Sequence, residues 1–372
     1  MMTNNSFRPV IGILAERLVG EWRVALAPAD VRRLGKRASI VIERGAGGKA
    51  GFADDDYVQA GATIADRFQI TSTAQVLVSV RAPTELASFM PATVLISLGG
   101  RDDAVKAAVG ARGLKHLSLD RLPRTTRAQA MDVLSSQATI AGYAAVIEGA
   151  RALDVLLPML TTAAGIVKPA KMIALGAGVA GLQAIATARR LGAVAHGFDV
   201  REASREQVES LGATFVSADN VIKAQEAANG YAAEQSADDQ AKLRRALAPT
   251  LAQMQLIVTS AQIPGHPAPI LIDGDTLTSL GRGTVIVDLA AETGGNTSRT
   301  KPDQTVMVSG VKILGPTNLP SLMAADASRL FSGNIRALLE HLISEETGLE
   351  LHHDDPITAA LLGVDQPLRT AA

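Results

Sequence analysis

The fold of this chain follows from residues 171–201, which read KMIALGAGVAGLQAIATARRLGAVAHGFDVR. A short apolar run, Lys171–Leu175, is typical of a buried strand, and a glycine-rich turn follows it directly. An alanine- and leucine-rich stretch to about Leu191 predicts a helix, and a second apolar run, Ala193–Phe198, predicts a strand that ends at Asp199. Strand, glycine turn, helix, strand and acid is the order of a dinucleotide-binding unit.

The spacing of the three glycines has a physical reason in such a unit. Gly176 permits a tight turn, Gly178 lets a pyrophosphate approach the backbone, and Gly181 lets helix and strand pack closely. The helix N-terminus then presents free N–H groups and the positive end of its dipole to the phosphates. Glycines also mark purely structural turns, but the helix and the terminal acid favour a binding turn. Its predicted cofactor-binding residues are Gly176, Ala177, Gly178, Val179, Ala180 and Gly181.

The acid at the end of the second strand indicates which dinucleotide to expect. Asp199 stands at the distance expected of a residue that accepts hydrogen bonds from the adenine ribose hydroxyls. Its charge would repel a 2′-phosphate, which favours NAD(H) over NADP(H). Val200 and Arg201 complete this predicted cofactor segment. Arg201 could offset part of the negative charge, but we interpret its guanidinium as a solvated loop charge.

Composition indicates a globular protein without a nucleic-acid partner. The 372 residues suffice for about two domains. With 36 basic and 37 acidic residues the net charge is -1, so no basic excess indicates nucleic-acid binding. The chain has no cysteine, which excludes disulfides and thiolate chemistry and fits a reducing cytoplasm. We find neither a signal-peptide pattern nor an apolar run of about 18 residues, so we expect no transmembrane segment.

Short apolar strands alternate with helices over about the first 120 residues as well, which predicts a second parallel sheet. We therefore predict an α/β protein with two doubly wound, Rossmann-like domains of parallel strands, linked by long helices. The N-terminal α/β domain is expected to be discontinuous, with residues 1–137 and 327–372. The NAD(H)-binding Rossmann domain is expected to comprise residues 138–326.

Three further segments of the second half are candidates for cofactor contacts. Ser260, Ala261 and Gln262 follow a predicted strand, and residues 290–296 follow the next one. Both loops would lie at the carboxyl ends of parallel strands, where open α/β sheets bind ligands. Residues 217–240 are small and polar with one aromatic, Tyr231, and long connections of this kind are often lids or binding loops.

Several stretches together resemble the alanine dehydrogenase and nicotinamide nucleotide transhydrogenase family, over nearly the whole chain. They are Glu21–Pro28, Gly51–Ala62, Gln137–Val146, Gly176–Gly181, Ile263–Pro269, Val287–Asn296 and Asn318–Asn334. The resemblance is strongest to the soluble NAD(H)-binding component of proton-translocating transhydrogenases. It implies direct hydride transfer between NADH and NADP(H) held by a partner subunit, coupled to proton movement through membrane subunits.

The resemblance also implies an assembly and a location. We expect a homodimer that docks on an NADP(H)-binding subunit and a membrane proton-channel subunit. The chain would then be cytoplasmic and peripheral on the inner membrane, held there through its partners.

The family's transhydrogenases carry an Arg-Gln-Asp-Ser cluster, which maps onto Arg124, Gln129, Asp132 and Ser135. The resemblance implies that this cluster lies beside the nicotinamide. Gln129 would meet the nicotinamide ribose and the partner's NADP(H), an Arg124–Asp132 pair would position the carboxamide, and Ser135 would assist. Composition alone favours a polar helix start with Ser and Asp as caps. Tyr231 would belong to a mobile loop that closes over NAD(H), or else is an exposed aromatic without a role.

Two other functions remain open at this point. A stand-alone amino-acid dehydrogenase such as alanine dehydrogenase carries a catalytic His where this chain reads Leu95-Ile96-Ser97-Leu98, so reductive amination has no obvious general acid here. Its catalytic Asp, substrate Lys and substrate Arg match Glu292, Arg81 and Arg23. We expect exposed or packing roles for the histidines, which are His116, His196, His266, His341, His352 and His353. The third possibility is a non-catalytic NAD-binding module, which the polar cluster of residues 124–135 disfavours.

Overall fold

The computed structural model describes residues 8–217, 236–263, 266–344 and 346–363, and Tyr231 lies outside these ranges. The strands are β1 (Val10–Ile13), β2 (Ser39–Glu43), β3 (Thr63–Ala65), β4 (Val76–Arg81), β5 (Val94–Leu98), β6 (Lys115–Ser118), β7 (Leu160–Thr162), β8 (Gly165–Val167), β9 (Lys171–Leu175), β10 (Val194–Phe198), β11 (Thr214–Phe215), β12 (Leu256–Thr259), β13 (Val285–Asp288), β14 (Thr305–Val308), β15 (Val311–Leu314), β16 (Ile343–Ser344) and β17 (Gly348–Leu349). The helices are α1 (Pro28–Leu34), α2 (Asp54–Gln59), α3 (Arg67–Thr73), α4 (Asp103–Arg112), α5 (Val133–Ala152), α6 (Val179–Arg190), α7 (Ser204–Ser210), α8 (Ala237–Leu251), α9 (Gly274–Ser279), α10 (Leu319–Leu322), α11 (Ala324–Leu342) and α12 (Pro356–Leu362).

The chain divides into two compact units. The first combines Met1–Gln137 with Ser321–Ala372, and the second is Ala138–Pro320. The sequence placed these divisions after residue 137 and before residue 327. None of the helices in the described ranges is long and apolar enough to cross a bilayer.

The first unit contains a parallel sheet in the order β3-β2-β1-β4-β5-β6. This order, with the reversal between β1 and β4, is that of a doubly wound fold. Residues 76–80 of β4 are all buried, as expected where helices cover both faces of a parallel sheet. The predicted fold class is confirmed for this unit.

Helix α11 belongs to the first unit because its apolar stripe and its serines both face α1 and the segment before it. Phe331 and Ile335 are buried in the core of this unit. Ser332 Oγ donates to Asp30 Oδ2 over 2.6 Å and accepts from the Ala27 backbone N–H over 2.8 Å. These contacts join the C-terminal helix to the N-terminal half of the chain.

The second unit contains a sheet in the order β11-β10-β9-β12-β13-β15-β14, parallel except for β14. The predicted parallel Rossmann fold is confirmed, with one addition. The sequence placed the last strand at Val311–Leu314 and gave no strand before it. Strand β14 pairs antiparallel with β15 across a tight turn in which Ser309 and Gly310 have φ angles of 52° and 88°. Because β14 is largely exposed at the sheet edge, it lacks the apolar run that marks the buried strands.

Helix α5 fixes the start of α6 inside the second unit. A Cβ placed on Gly142 of α5 would lie only 2.1 Å from the Ala180 carbonyl oxygen in the first turn of α6. Only a glycine therefore permits this backbone approach. The two helices meet without an intervening side chain, and the N-terminal turn of α6 is held against α5.

Candidate functional site

The glycine turn of the second unit connects β9 to α6 as the sequence predicts. Gly176 has a φ of 103°, in the left-handed region that favours glycine. A Cβ on Gly181 would lie 1.8 Å from the Gly176 carbonyl oxygen, so this glycine permits close packing of α6 on the end of β9. A Cβ on Gly178 would meet no atom within 4 Å, so the backbone there is open to a ligand. Each glycine thus has the geometry expected for a pyrophosphate-binding turn.

The turn is tied to the strands on both sides of β9. The Ala177 backbone N–H donates to Asp199 Oδ2 over 2.9 Å, which ties the turn to the end of β10. Ser260 Oγ donates to the Gly176 carbonyl oxygen over 3.1 Å, which ties it to the end of β12. The backbone of the turn is therefore held in place before any ligand arrives.

Arg201 requires a correction, because it is not the solvated loop charge that we expected. Its Nε donates to Asp199 Oδ1 over 2.9 Å and its Nη2 donates to Oδ2 over 3.0 Å. The Arg201 side chain is 21% exposed. The local chain turns back so that the backbone N–H of Arg201 also donates to Asp199 Oδ1 over 2.9 Å. The pair neutralises the acid that the sequence assigned to the adenine ribose.

The loop after β12 is fixed by a buried asparagine. Ala261 N–H donates to Asn296 Oδ1 over 3.1 Å, and Asn296 Nδ2 donates to the Ala261 carbonyl oxygen over 2.8 Å. Gln262 is exposed, and its amide donates to the Leu289 carbonyl oxygen over 3.2 Å. Ser260, Ala261 and Gln262 therefore all have defined positions beside the glycine turn. Their contacts with a cofactor stay predictions.

The polar cluster of the first unit surrounds the start of α5. A 3₁₀ helix, Thr126–Met131, carries Gln129, which is exposed like Arg124. Asp132 Oδ1 accepts the Ser135 backbone N–H over 2.9 Å, and Oδ2 accepts the Ser135 hydroxyl over 2.6 Å. Asp132 and Ser135 thus form the helix cap that composition alone favoured. The predicted Arg124–Asp132 pair and the nicotinamide contacts stay predictions.

Arg23, which the sequence matched to a substrate arginine, is buried and bonded within the protein. Its Nε and Nη2 donate to Glu21 over 2.8 and 2.6 Å, and its Nη1 donates to Gln137 Oε1 over 2.8 Å. Arg23 and Glu21 are 3% and 0% exposed. All three guanidinium nitrogens therefore already have partners, and a substrate carboxylate would have to displace one.

Glu16 lies in the same charged region of the first unit. Its carboxylate accepts backbone N–H groups from Val80 over 2.6 Å and from Arg81 over 3.3 Å. Burial raises the pKa of Glu16 to about 7, although the hydrogen bonds from Val80 and Arg81 act in the opposite direction. The negative charge of Glu21 adds to the rise. At neutral pH this carboxyl group is therefore partly protonated.

His116 also requires a correction. Strand β6 pairs with β5, and the imidazole Nε2 of His116 lies 2.9 Å from Ser97 Oγ. Ser97 belongs to the stretch where the sequence comparison expected a catalytic His of the amino-acid dehydrogenases. Burial lowers the pKa of His116, while Asp120 acts in the opposite direction. The sequence missed this neighbour because the two residues are joined only by the strand pairing.

Models of two protein domains match nearly the whole chain. The N-terminal domain of alanine dehydrogenase/PNT matches residues 12–141, and the C-terminal domain matches residues 145–367. The chain belongs to the alanine dehydrogenase/PNT family. It is 43% identical over 349 residues to the first of the separate parts of NAD(P) transhydrogenase subunit alpha in Rhodospirillum rubrum, covering 91% of each chain.

Other members of the alanine dehydrogenase/PNT family agree with this placement. The crystal structure of the transhydrogenase from Sinorhizobium meliloti is 38% identical, with a TM-score of 0.85 over 94% of this chain and 97% of that one. An alanine dehydrogenase of Halomonas elongata is 26% identical over 359 residues, covering 92% of this chain and 89% of its own. The chain is thus more similar to the transhydrogenases among these relatives than to the alanine dehydrogenase.

We expect Arg201→Met to increase discrimination against a 2′-phosphate. Without the guanidinium, the Asp199 carboxylate keeps its full charge and gains a free oxygen for a ribose hydroxyl. The ratio of the Kd for NADPH to the Kd for NADH should rise about tenfold, which corresponds to about 1.4 kcal/mol. Asp199→Ala should lower the same ratio. Titration of NADH and NADPH fluorescence measures both values, and an unchanged ratio in Arg201→Met would contradict a role for the pair.

The raised pKa of Glu16 predicts a pH-dependent stability. A folded-state pKa of about 7 lies above the ordinary value of 4.5, so the stabilising contribution is complete below pH 4.5 and is lost as the pH rises through 7. In Glu16→Gln that dependence should disappear, so the variant should gain stability relative to the wild type between about pH 5 and pH 8, by roughly a few kcal/mol at most. Urea unfolding at both pH values measures the difference. A wild-type-minus-variant difference that is equal at both pH values would refute the assignment.

Proposed function

We propose that this chain is the NAD(H)-binding component of a proton-translocating transhydrogenase. The similarity to a transhydrogenase alpha-subunit chain over 91% of the sequence carries this proposal. The open backbone at Gly178 and the ties to Asp199 and Ser260 support an NAD(H) site in the second unit. The residues present therefore fit the dinucleotide that the family implies.

The proposed reaction needs position more than acid–base chemistry. When bound, NADH supplies a hydride from its nicotinamide C4 to C4 of NADP⁺, so no proton moves in that step. The protein must hold the two C4 atoms about 3–3.5 Å apart and exclude water. We assign the pyrophosphate to residues 176–181, the adenine ribose to Asp199, Val200 and Arg201, and the nicotinamide ribose side to Ser260, Ala261 and Gln262. Arg124, Gln129, Asp132 and Ser135 would position the nicotinamide, and Tyr231 would belong to the closing loop.

The second dinucleotide and the proton path belong to other chains in this proposal. A partner subunit would hold NADP(H), and a membrane proton-channel subunit would couple hydride transfer to proton translocation. The name of the Rhodospirillum rubrum relative, an alpha subunit divided into parts, supports an assembly of several subunits. The chain would then be peripheral on the cytoplasmic side of the inner membrane.

One observation favours the alternative of an alanine dehydrogenase-like enzyme. His116 lies 2.9 Å from Ser97 and so returns an imidazole to the region where that reaction would need a proton donor. Three features weigh against it. Burial lowers the pKa of His116, Arg23 is occupied by Glu21, and identity to the alanine dehydrogenase is only 26%.

Oxidation of NADH by the purified chain, with pyruvate and ammonium and no partner, separates the two functions. We expect NADH to bind without steady turnover, because the chain alone holds no hydride acceptor. The rate should be equally low in His116→Ala. Adding a transhydrogenase's NADP⁺-loaded partner subunit should then start NADPH formation.

Steady oxidation of NADH with pyruvate that His116→Ala abolishes would instead establish the amino-acid dehydrogenase. NADH binding without transfer to the partner's NADP⁺ would favour the non-catalytic NAD-binding module. No binding of NADH at all would contradict all three.

We also propose that the chain forms a homodimer through the β7–β8 hairpin of the second unit. The two strands pair only with each other in the described part of the chain, so both outer edges are open. The apolar side chains of Met159, Leu160 and Ile166 are 63%, 45% and 69% exposed. A lone hairpin is marginally stable, and an exposed apolar surface on it is typical of an interface. A second copy can offer the same surface about a two-fold axis.

Ile166→Asp tests this interface. Burying an unpaired carboxylate should raise the dimer dissociation constant about a hundredfold, which corresponds to about 3 kcal/mol. Sedimentation velocity at micromolar concentration should then show a monomer. Val19→Asp, at a residue of the first unit that is 98% exposed, is the matched control and should remain dimeric. A dimeric Ile166→Asp, or a monomeric wild type, would refute the proposed interface.

A further inference from the structure

Asn296 is fully buried, and it grips the loop after β12 from both sides of one residue. Its Oδ1 accepts the Ala261 N–H over 3.1 Å, and its Nδ2 donates to the Ala261 carbonyl oxygen over 2.8 Å. The same Nδ2 donates to the Pro269 carbonyl oxygen over 2.8 Å. The side-chain amide thus fixes both ends of a segment that begins at the carboxyl end of β12. Both N–H hydrogens of the amide are used within the protein.

The asparagine is itself held rigidly at the end of β13. Gly294 and Gly295 have φ angles of 104° and 84°, which turn the chain back toward the sheet. The Asn296 backbone N–H donates to Asp288 Oδ2 over 2.7 Å, and Thr259 Oγ1 donates to Asp288 Oδ1 over 2.8 Å. Asp288 is fully buried. A buried carboxylate with several donors is a strong anchor, so the position of Asn296 is set before any ligand binds.

The order of the strands indicates which half of a dinucleotide this loop would meet. Strand order reverses between β9 and β12, and dinucleotides lie across such a switch point with one mononucleotide on each side. Asp199 follows β10, on the side that takes the adenosine. The loop of Ser260 and Ala261 follows β12, on the other side. It therefore faces the nicotinamide mononucleotide half.

We propose that Asn296 is a positioning residue for the nicotinamide half of NAD(H), acting through the backbone of residues 260–262. This inference rests on the proposed NAD(H) site and assigns no contact between Asn296 and the ligand. Ser260 extends the effect, because its hydroxyl holds the Gly176 carbonyl oxygen over 3.1 Å. Asn296, Ala261, Ser260 and the glycine turn then form one hydrogen-bonded support under the ligand.

The test compares two ligands and two variants of the full chain. Asn296→Asp keeps the acceptor for Ala261 N–H and removes the donor to two carbonyl oxygens. Thr284→Val is the matched control, because Thr284 Oγ1 donates to the Met254 carbonyl oxygen over 3.0 Å, a buried tie before the amino ends of β12 and β13. The ligands are NADH and ADP, and ADP lacks the nicotinamide half. Kd values come from NADH fluorescence and from calorimetry with ADP.

We expect Asn296→Asp to raise the Kd for NADH about tenfold and to leave the Kd for ADP within about twofold. Thr284→Val should lower the melting temperature but change neither Kd. The inference is overturned if Asn296→Asp leaves the Kd for NADH unchanged, or if it raises both Kd values equally. Failure of the wild type to bind NADH would instead overturn the proposed function.

If Asn296→Asp does not fold, hydrogen exchange of the wild type decides the question. NADH should slow exchange of the amides in residues 259–263 more than ADP does at equal saturation. Equal protection by the two ligands would overturn the inference, because the loop would then respond to the adenine half alone.

Discussion

The second unit depends on backbone contacts that admit no side chain. A Cβ on Gly181 would stand 1.8 Å from the Gly176 carbonyl oxygen, and one on Gly142 would stand 2.1 Å from that of Ala180. The first turn of α6 is therefore pressed between the end of β9 and helix α5. Because no flexible side chain separates these backbones, the N–H groups at the start of α6 keep their direction. A helix N-terminus can stabilise an anion only if that direction is fixed.

Polar side chains complete this support by bonding to backbone rather than to solvent. Asp199 and Asp288 end neighbouring regions of the same sheet, and each accepts backbone N–H groups that no strand partner would satisfy. Hydrogen bonds to a charged acceptor contribute about 1.5–3 kcal/mol each, so few are needed to fix a loop. Asp199 differs from Asp288 because it also pairs with Arg201. Ligand binding near Asp199 must therefore exchange one charged contact for another.

The sequence was sufficient wherever the signal was local. Residues 171–201 specify a strand, a turn and a helix by spacing alone, and the parallel sheets follow from alternating elements. What failed depended on pairing across the chain. His116 meets Ser97 only through the register of β5 and β6, and β14 is an exposed edge strand without an apolar run. The pairing of Arg201 with Asp199 depends on a local backbone turn that composition does not reveal. The clamp of Asn296 on Ala261 joins residues 35 positions apart.

The charges of the first unit suit a reaction that transfers no proton within this chain. Arg23 is neutralised by Glu21, so a guanidinium that could attract a carboxylate substrate is already satisfied. Glu16 and His116 are both shifted toward their neutral forms, since burial raises the pKa of Glu16 to about 7 and lowers that of His116. An acid–base enzyme needs a group that gains and loses a proton in contact with its substrate. Here burial serves instead to limit charge in the interior. Positioning of a hydride donor is a function that such an interior can perform without further chemistry.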